Sequence, residues 1–107
     1  MIQQLTVKDL EQRLASDADR PMILDVREPW ELDRCQLPDS KAIPMREIPT
    51  RLAELPKDAE IAVLCHHGTR SQRVAEFLLS QGYENLHNVV GGIDAWAKEI
   101  DPAMAKY

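Results

Sequence analysis

The chain of 107 residues is predicted to fold as a single α/β domain, covering residues 1–107, with a mainly parallel β-sheet flanked by helices. Two observations support this fold class. Short apolar runs alternate with stretches whose apolar residues recur at helical spacing, and the connections between them are short. The apolar runs are also nearly continuous, which is typical of parallel strands that are covered on both faces.

The first part of the chain is expected to hold three helices and two strands. Thr6 precedes an apolar face at helical spacing and is placed to cap free backbone amides. Pro29 suits the first turn of a short helix. Ile48, Leu52 and Leu55 lie at i, i+4 and i+7, which predicts a third helix. In chain order these elements are a helix over residues 7–15, a strand over 22–26 after the polar connection 16–20, a helix over 28–33, a strand over 42–43 and a helix around 48–55.

The second part of the chain contains the most strand-like run, residues 61–64, which leads directly into Cys65. Gly82 supplies a C-terminal stop for the helix that precedes it. Strands and helices therefore continue to alternate, as a parallel sheet requires. The elements expected here are a strand over 61–64, a helix over 71–80, a strand over 86–90 and a helix through residues 93 and 96.

Charge and hydropathy exclude several classes of partner. The chain has 13 basic and 18 acidic residues and a formal net charge of −5, and the basic residues are scattered. Nucleic acid, acidic proteins and membrane surfaces are therefore not expected as partners, because each needs a basic patch. No run approaches the roughly 18–20 apolar residues of a membrane span, and no basic-then-apolar leader is present at the N-terminus. A cytoplasmic location is expected.

The two cysteines, Cys35 and Cys65, lie far apart and share no C-x-x-C spacing. A cytoplasmic chain keeps its thiols reduced, so a structural disulfide is not expected. The spacing also argues against a structural zinc site. His66 and His67 are adjacent and are expected to point in different directions, with no third ligand close in sequence. Neither a metal nor a cofactor is therefore predicted.

Cys65 stands at the end of the predicted strand 61–64, and a tight loop leads from it into the next helix. In an open α/β sheet, ligands bind beyond the carboxyl ends of the strands. Gly68 allows a backbone angle or a close approach that a side chain would obstruct. The loop amides and the positive end of the helix are expected to form an anion site that stabilises a nucleophilic Cys65 thiolate. The loop residues of this site are His66, His67, Gly68, Thr69 and Arg70.

Each of these residues also has an ordinary interpretation. A cysteine at a strand end is commonly a small buried apolar residue. Loop histidines are often simply solvated, and an arginine is most often a surface charge. Their coincidence in one strand, loop and helix favours the nucleophilic thiolate.

Four segments, in order along the chain, resemble the motifs of the rhodanese family of single-domain sulfurtransferases. The resemblance covers nearly the whole chain and implies a rhodanese-like fold, with a central mainly parallel sheet of about five strands flanked by helices. Within the family, the chain is most similar to the C-terminal rhodanese domain of molybdopterin-synthase sulfurating proteins. The four segments are residues 24–31 (LDVREPWE), 37–40 (LPDS), 65–71 (CHHGTRS) and 91–96 (GGIDAW).

The resemblance implies that Cys65 accepts a sulfane sulfur from a donor such as thiosulfate and holds it as a persulfide. Cyanide, a small thiol or the thiol of a sulfur-relay protein would then remove that sulfur, in two covalent steps with ping-pong kinetics. The loop amides would hold the persulfide, and His67 and Arg70 would attract an anionic donor. Three residues are expected to support the loop through charge-assisted hydrogen bonds, namely Asp25, Arg27 and Glu28.

The chain departs from the family pattern at one point. Many members carry Gly-His before the second motif, whereas this chain carries Cys35 and Gln36. A role of that histidine elsewhere is therefore not transferred here. Cys35 is expected to be a packed thiol rather than a resolving cysteine. Trp30 and Trp96 are expected to pack in the core or at its rim.

Two other functions use a similar thiol. Cysteine phosphatases and arsenate reductases carry a loop of the pattern C-x5-R, whereas this chain has C-x4-R. The smaller loop suits one sulfur atom better than a phosphoryl group. A persulfide carrier that serves one acceptor protein uses the same Cys65 persulfide as a thiosulfate:cyanide enzyme. The sequence leaves that second alternative open.

Overall fold

The computed structural model describes residues 1–18 and 20–107, and in them a five-stranded sheet carries helices on both faces. Asp19, part of the predicted connection 16–20, lies outside the described residues. The strands are β1 (Ile2–Leu5), β2 (Met22–Asp25), β3 (Lys41–Ala42), β4 (Ile61–Leu64) and β5 (Leu86–Val89). The α-helices are α1 (Val7–Leu14), α2 (Pro29–Leu32), α3 (Thr69–Ser80) and α4 (Gly92–Glu99).

The strands follow the order β1-β5-β4-β2-β3 across the sheet, and each neighbouring pair is parallel. The predicted fold class is therefore confirmed, with pairing that is parallel throughout these strands. Parallel strands bring their carboxyl ends to one edge of the sheet. The loops that follow β2, β4 and β5 meet at that edge, and Cys65 lies there, directly after the central strand.

The alternation of side chains along the strands divides the core into two layers. Leu24 and Val63 pack in the layer that includes residues of α3. Ile23 and Leu64 pack in the layer that includes residues of α1 and α4. All of β4 is buried, which explains why the run 61–64 is continuously apolar.

The prediction of a third α-helix around residues 48–55 is wrong. The segment forms two 3-10 helices, Met45–Thr50 and Leu52–Glu54. Pro49 lies inside the first of them, and a proline both lacks an amide donor and disfavours the α conformation of the residue before it. The apolar spacing nevertheless identified core positions, because Ile48 and Leu55 are buried.

β1 is an edge strand that the sequence pattern does not reveal. Gln3 and Gln4 are exposed, and within this strand only Leu5 is fully buried. Four residues with two exposed glutamines give neither a continuous apolar run nor a clear alternation. The position of β1 depends instead on its parallel pairing with β5, which is distant in sequence.

The other helices and strands with predicted limits begin and end within two residues of them, and α4 contains the predicted positions 93 and 96. Thr6 caps α1 as predicted, since its Oγ1 accepts a hydrogen bond from the Asp9 amide at 3.1 Å. Among the described residues, no helix combines the length and apolarity that crossing a membrane requires.

Leu24→Ala tests the packing between β2 and the α3 layer. Leu24 is fully buried, whereas Leu79 on α3 is 38% exposed. Because the truncation leaves a cavity, Leu24→Ala is expected to lower the free energy of unfolding by about 2–5 kcal/mol. The matched variant Leu79→Ala is expected to lower it by about 1 kcal/mol or less. Urea unfolding followed by circular dichroism measures both, and equal losses would contradict this packing.

Candidate active site

Cys65 occupies the first position after β4 and is only 1% exposed. The amide of Gly68 donates a hydrogen bond to the Cys65 Sγ at 3.0 Å. Sγ also lies 3.3 Å from the Oγ of Ser71, in the first turn of α3. Gly68 has a φ of 106°, a left-handed conformation that favours glycine. The chain therefore turns sharply after the strand and places the sulfur beside the positive end of α3.

The loop is fixed from its other side by the first amides of α4. The Ile93 amide donates to the Cys65 carbonyl at 2.9 Å, and the Asp94 amide donates to the His66 carbonyl at 3.0 Å. Gly92 makes this approach possible, because a Cβ there would lie 2.4 Å from the Cys65 carbonyl oxygen. In a trans peptide, the C=O and the following N–H point in opposite directions. The amides of His66 and His67 therefore point away from α4.

The guanidinium of Arg70 is paired with a buried carboxylate. Its two terminal nitrogens donate to the two carboxylate oxygens of Glu31 at 2.6 and 2.8 Å. Glu31 is 3% exposed, and the hydrogen bonds from Arg70 outweigh burial and lower its pKa to about 2. The predicted anion-binding arginine thus has much of its charge neutralised by α2, and it ties the start of α3 to that helix.

Asp25 and Arg27 form a buried ion pair at the end of β2. Nη2 of Arg27 lies 2.7 Å from a carboxylate oxygen of Asp25, and both side chains are fully buried. Arg27 also donates to the carbonyl of Glu31 at 3.3 Å and to that of Cys35 at 2.8 Å. The predicted support of the Cys65 loop is therefore indirect, since this pair holds α2, and α2 supplies Glu31 to Arg70.

Glu28 does not occupy the expected place beside the loop. Its amide donates a hydrogen bond to the Glu31 carboxylate at 3.0 Å, as part of a capping box at the start of α2. Its own carboxylate lies 3.3 Å from Nε of the exposed Arg46. Because the β2–α2 connection turns the Glu28 side chain toward Arg46, its contacts are those of a helix terminus rather than of the Cys65 loop.

An aromatic stack lies beside the loop. The rings of His67 and His66 are stacked with centroids 3.9 Å apart, and Tyr107 stacks on His66 at the same distance. The rings of Trp30 and Tyr107 form an edge-to-face pair with centroids 5.8 Å apart. The adjacent histidines therefore do not point in different directions as expected. Burial, followed by the proximity of His67, lowers the pKa of His66 and thereby favours its neutral form.

His66, His67 and Asp94 bring possible metal-ligand atoms within 4.8 Å of one another. The carboxylate comes from α4, which is distant in sequence from the two histidines, so the fold brings a third potential ligand beside them. Nε2 of His67 is 4.0 Å from the Asp94 carboxylate, whose Oδ2 is already 3.1 Å from the Lys98 ammonium. Stacked imidazoles also present their nitrogen lone pairs side by side rather than toward one point. This geometry does not favour a bound cation.

Sequence reasoning missed three residues that shape the site. Glu31 lies three positions after Glu28, a spacing typical of helix-start capping that would have drawn attention to it. Ser71 is adjacent to the predicted loop but was not expected to contact the sulfur. Tyr107 donates to the Glu31 carboxylate at 2.8 Å, and no local pattern signals a contact between residues so distant in the chain.

Both tryptophans and Cys35 pack in the core or at its rim. Cys35 is partly buried against the α1 and α4 layer and, like His66 and Tyr107, lines a small cleft. Trp96 is buried in that layer. Trp30 is 57% exposed, so it forms part of the rim.

Comparison with known proteins relates the chain to rhodanese-like domains. The family model of the rhodanese-like domain matches residues 6–99. The chain is 37% identical over 105 residues to a sulfurtransferase of Allochromatium vinosum, and the match covers 98% of this chain and 97% of that protein. A rhodanese-related protein of Thermoplasma volcanium has a crystal structure that superposes with a TM-score of 0.82 at 35% identity, covering 92% of this chain and 93% of the other.

Two relatives are longer than this chain. The putative sulfur carrier protein YrkF of Bacillus subtilis is 35% identical over 100 residues, covering 94% of this chain and 54% of its own length. The adenylyltransferase and sulfurtransferase uba4 of Ogataea parapolymorpha is 35% identical over 88 residues, covering 81% of this chain and 23% of its own length. The predicted resemblance to adenylyltransferase–sulfurtransferase fusions is thereby confirmed.

Gly92→Ala is expected to displace the loop that carries Cys65. The new Cβ would lie 2.4 Å from the Cys65 carbonyl oxygen, whereas a Cβ at Gly82 would meet only the flexible Lys57 ammonium at 3.5 Å. Both glycines have positive φ, so the two substitutions share a strain of about 1–2 kcal/mol. Gly92→Ala is expected to lower the free energy of unfolding by roughly 1–3 kcal/mol more than the control substitution Gly82→Ala. Urea unfolding compares the variants, and equal losses would contradict the anchoring by α4.

Glu31→Gln tests the ion pair with Arg70 through acid stability. The pKa of Glu31 is lowered from 4.5 to about 2 in the folded protein, so the carboxylate stabilises the fold above pH 4.5 and loses this contribution as the pH falls toward 2. The wild type is expected to lose roughly 3 kcal/mol of unfolding free energy over this range through Glu31, and the variant to lack that component. Urea unfolding from pH 6 to pH 2.5 measures the difference; an unchanged acid dependence would contradict the pairing.

Proposed function

The chain belongs to the family of rhodanese-like domains, and on that premise we propose that it transfers sulfane sulfur through a persulfide on Cys65. The observation that carries the proposal is the position of the Cys65 Sγ. It lies at the carboxyl end of the central strand, 3.0 Å from the Gly68 amide and beside the first turn of α3. A thiolate and a persulfide are both anions, and the Gly68 amide and the positive end of α3 each favour negative charge on the sulfur.

The proposed reaction has two covalent half-reactions. In the first, the Cys65 thiolate attacks the sulfane sulfur of thiosulfate, the sulfur–sulfur bond of the donor breaks, and its electron pair leaves with sulfite. Cys65 then carries a persulfide whose negative charge lies on the outer sulfur. In the second, cyanide or a thiolate attacks the outer sulfur and releases the Cys65 thiolate. The alternation of donor and acceptor gives ping-pong kinetics.

The loop residues serve this reaction in different ways. We assign the amides of residues 66–70 to the outer sulfur, which would occupy the concave side of the loop. His67, whose side chain is 65% exposed, is the residue that meets an anionic donor at the surface. Arg70 adds a partly neutralised positive charge and anchors the first turn of α3 through Glu31. Asp25 and Arg27 brace α2 behind that pair.

The size of the loop supports sulfur rather than phosphoryl transfer. Four residues separate Cys65 from Arg70, one fewer than in the C-x5-R loops of cysteine phosphatases and arsenate reductases. The Arg70 guanidinium is also engaged by both oxygens of Glu31, which leaves fewer of its N–H donors for phosphoryl oxygens.

A persulfide carrier is the second candidate function. The relation to a putative sulfur carrier protein and to an adenylyltransferase–sulfurtransferase fusion favours transfer to a dedicated protein acceptor. Rates of loading from thiosulfate and from a cysteine desulfurase, and of unloading to cyanide and to candidate protein thiols, separate the two functions. Each of these two functions requires a reduced Cys65. Because Cys35 and Cys65 are both free thiols, and thiols stay reduced in the cytoplasm, we propose that this chemistry takes place there.

Incubation with thiosulfate is expected to add the mass of one sulfur atom to the peptide that contains Cys65. Mass spectrometry of the intact protein and its peptides detects this addition. Cys65→Ser is expected to show none, because the nucleophile is lost, and Cys35→Ser is expected to load like the wild type. Sulfur on Cys35 alone, or no sulfur from either thiosulfate or a desulfurase, would overturn the proposal.

A further inference from the structure

Cys65 lies at one end of a chain of hydrogen bonds that reaches the protein surface. This series of hydrogen bonds crosses from α3 to β5 and β1 and returns to α3. Its links are Cys65 Sγ to Ser71 Oγ at 3.3 Å, Ser71 Oγ to Asn88 Oδ1 at 2.5 Å, Asn88 Nδ2 to Gln4 Oε1 at 3.0 Å, Gln4 Nε2 to Gln72 Oε1 at 2.9 Å, and Gln72 Nε2 to Glu76 Oε2 at 3.2 Å.

The group at the outer end of this series determines which atom donates in each hydrogen bond. The Glu76 carboxylate only accepts hydrogen bonds, so Gln72 must present its amide nitrogen to Glu76 and its oxygen to Gln4. By the same logic, Gln4 accepts from the Asn88 nitrogen, and the Asn88 oxygen is left to accept from Ser71. The distance of 2.5 Å fits an O–H···O bond but is too short for an amide N–H donor.

The single hydroxyl proton of Ser71 is therefore committed to Asn88. Toward Cys65 the hydroxyl presents a lone pair, which accepts a hydrogen bond from a protonated thiol but offers nothing to a thiolate. For Ser71 to donate to a thiolate, the buried Asn88 oxygen would have to lose its donor. An unpaired buried acceptor is costly, so this rearrangement is unfavourable.

We propose that Asn88 is a positioning residue that acts through Ser71 to hold the resting Cys65 as a protonated thiol and to limit its reactivity. The inference rests on the proposed function in taking Cys65 as the reacting thiol. It also distinguishes the stages of the reaction. In the persulfide the negative charge lies on the outer sulfur, and Sγ no longer needs a donor from Ser71. This series of hydrogen bonds thus disfavours the bare thiolate but not the persulfide. The persulfide form of Cys65 is therefore favoured over the thiolate form.

Substitutions in this series of hydrogen bonds are expected to leave the charged and titratable groups near Cys65 in place. Arg70, on α3, faces Cys65 and stays paired with Glu31 of α2. His66 adjoins Cys65 in the loop, and Tyr107 stacks on His66. Next to them lie His67, in the loop, and Asp94, on α4. A changed pH profile after substitution of Asn88 therefore reports on the Ser71 hydroxyl.

The test is the pH dependence of alkylation of Cys65 by iodoacetamide in a Cys35→Ser background. Asn88→Ala frees the Ser71 proton to be donated to the thiolate, so the alkylation rate at pH 7 is expected to rise by about tenfold, the worth of one hydrogen bond to an anion. The profile is expected to move to lower pH. In the double variant Asn88→Ala/Ser71→Ala, the rate is expected to return to that of Ser71→Ala.

Two further variants complete the test, one in case Asn88→Ala impairs folding and one as a control. Gln4 is exposed, and Gln4→Ala lets the Asn88 amide turn and donate to Ser71, so a smaller rise in rate is expected without damage to the core. Ser80→Ala, at the far end of α3, serves as the control and is expected to react like the wild type.

The inference is overturned if neither Asn88→Ala nor Gln4→Ala raises the rate. It is also overturned if the double variant keeps the full rise, because loosening of the loop would then explain it without Ser71. Persulfide loading of the wild type is measured in parallel. If the protein does not load but shows the expected alkylation pattern, only sulfur transfer is refuted. If it loads normally but lacks that pattern, only the role of Asn88 is refuted.

Discussion

The hydrogen bonds from the first amides of α4 to the carbonyls of Cys65 and His66 are the constraint on which the rest of the site depends. They orient the first two peptide units of the loop, and the geometry of the trans peptide then directs the following amides away from α4. Gly92 permits the approach because it has no Cβ. Two distant segments of the sequence, the Cys65 loop and the double glycine, therefore function as one structural unit.

A series of ion pairs reinforces this unit from the other side. Asp25 and Arg27 neutralise each other in the interior, and Arg27 holds the backbone of α2. Glu31 of α2 then binds Arg70, which lies in the first turn of α3 beside the Cys65 loop. A buried charge is tolerated only with a partner. The consequence is an arginine that positions the start of α3 firmly while contributing less than a full charge to the anion site.

The sequence predicted those features that depend on local spacing. The continuous apolar run before Cys65 predicted the central strand correctly, because that signal lies within a few adjacent residues. The turn after it was also predicted, although α3 begins at Thr69, so Thr69 and Arg70 belong to the helix rather than to the loop. The sequence could not predict the contacts that topology creates. The edge strand β1 depends on pairing with β5, and Tyr107 reaches the site only through the complete fold. The third helix failed because apolar spacing reports burial, whereas Pro49 determines the backbone conformation.

The central claim is that the loop after β4 holds a sulfur atom bound to Cys65, and a crystal structure of the protein after sulfur loading tests it most directly. The account predicts one additional atom bonded to the Cys65 Sγ on the concave side of the loop, within hydrogen-bonding distance of the loop amides, while the carbonyls of Cys65 and His66 remain bound to α4. An additional sulfur directed away from those amides, or one attached to Cys35 instead, would contradict it.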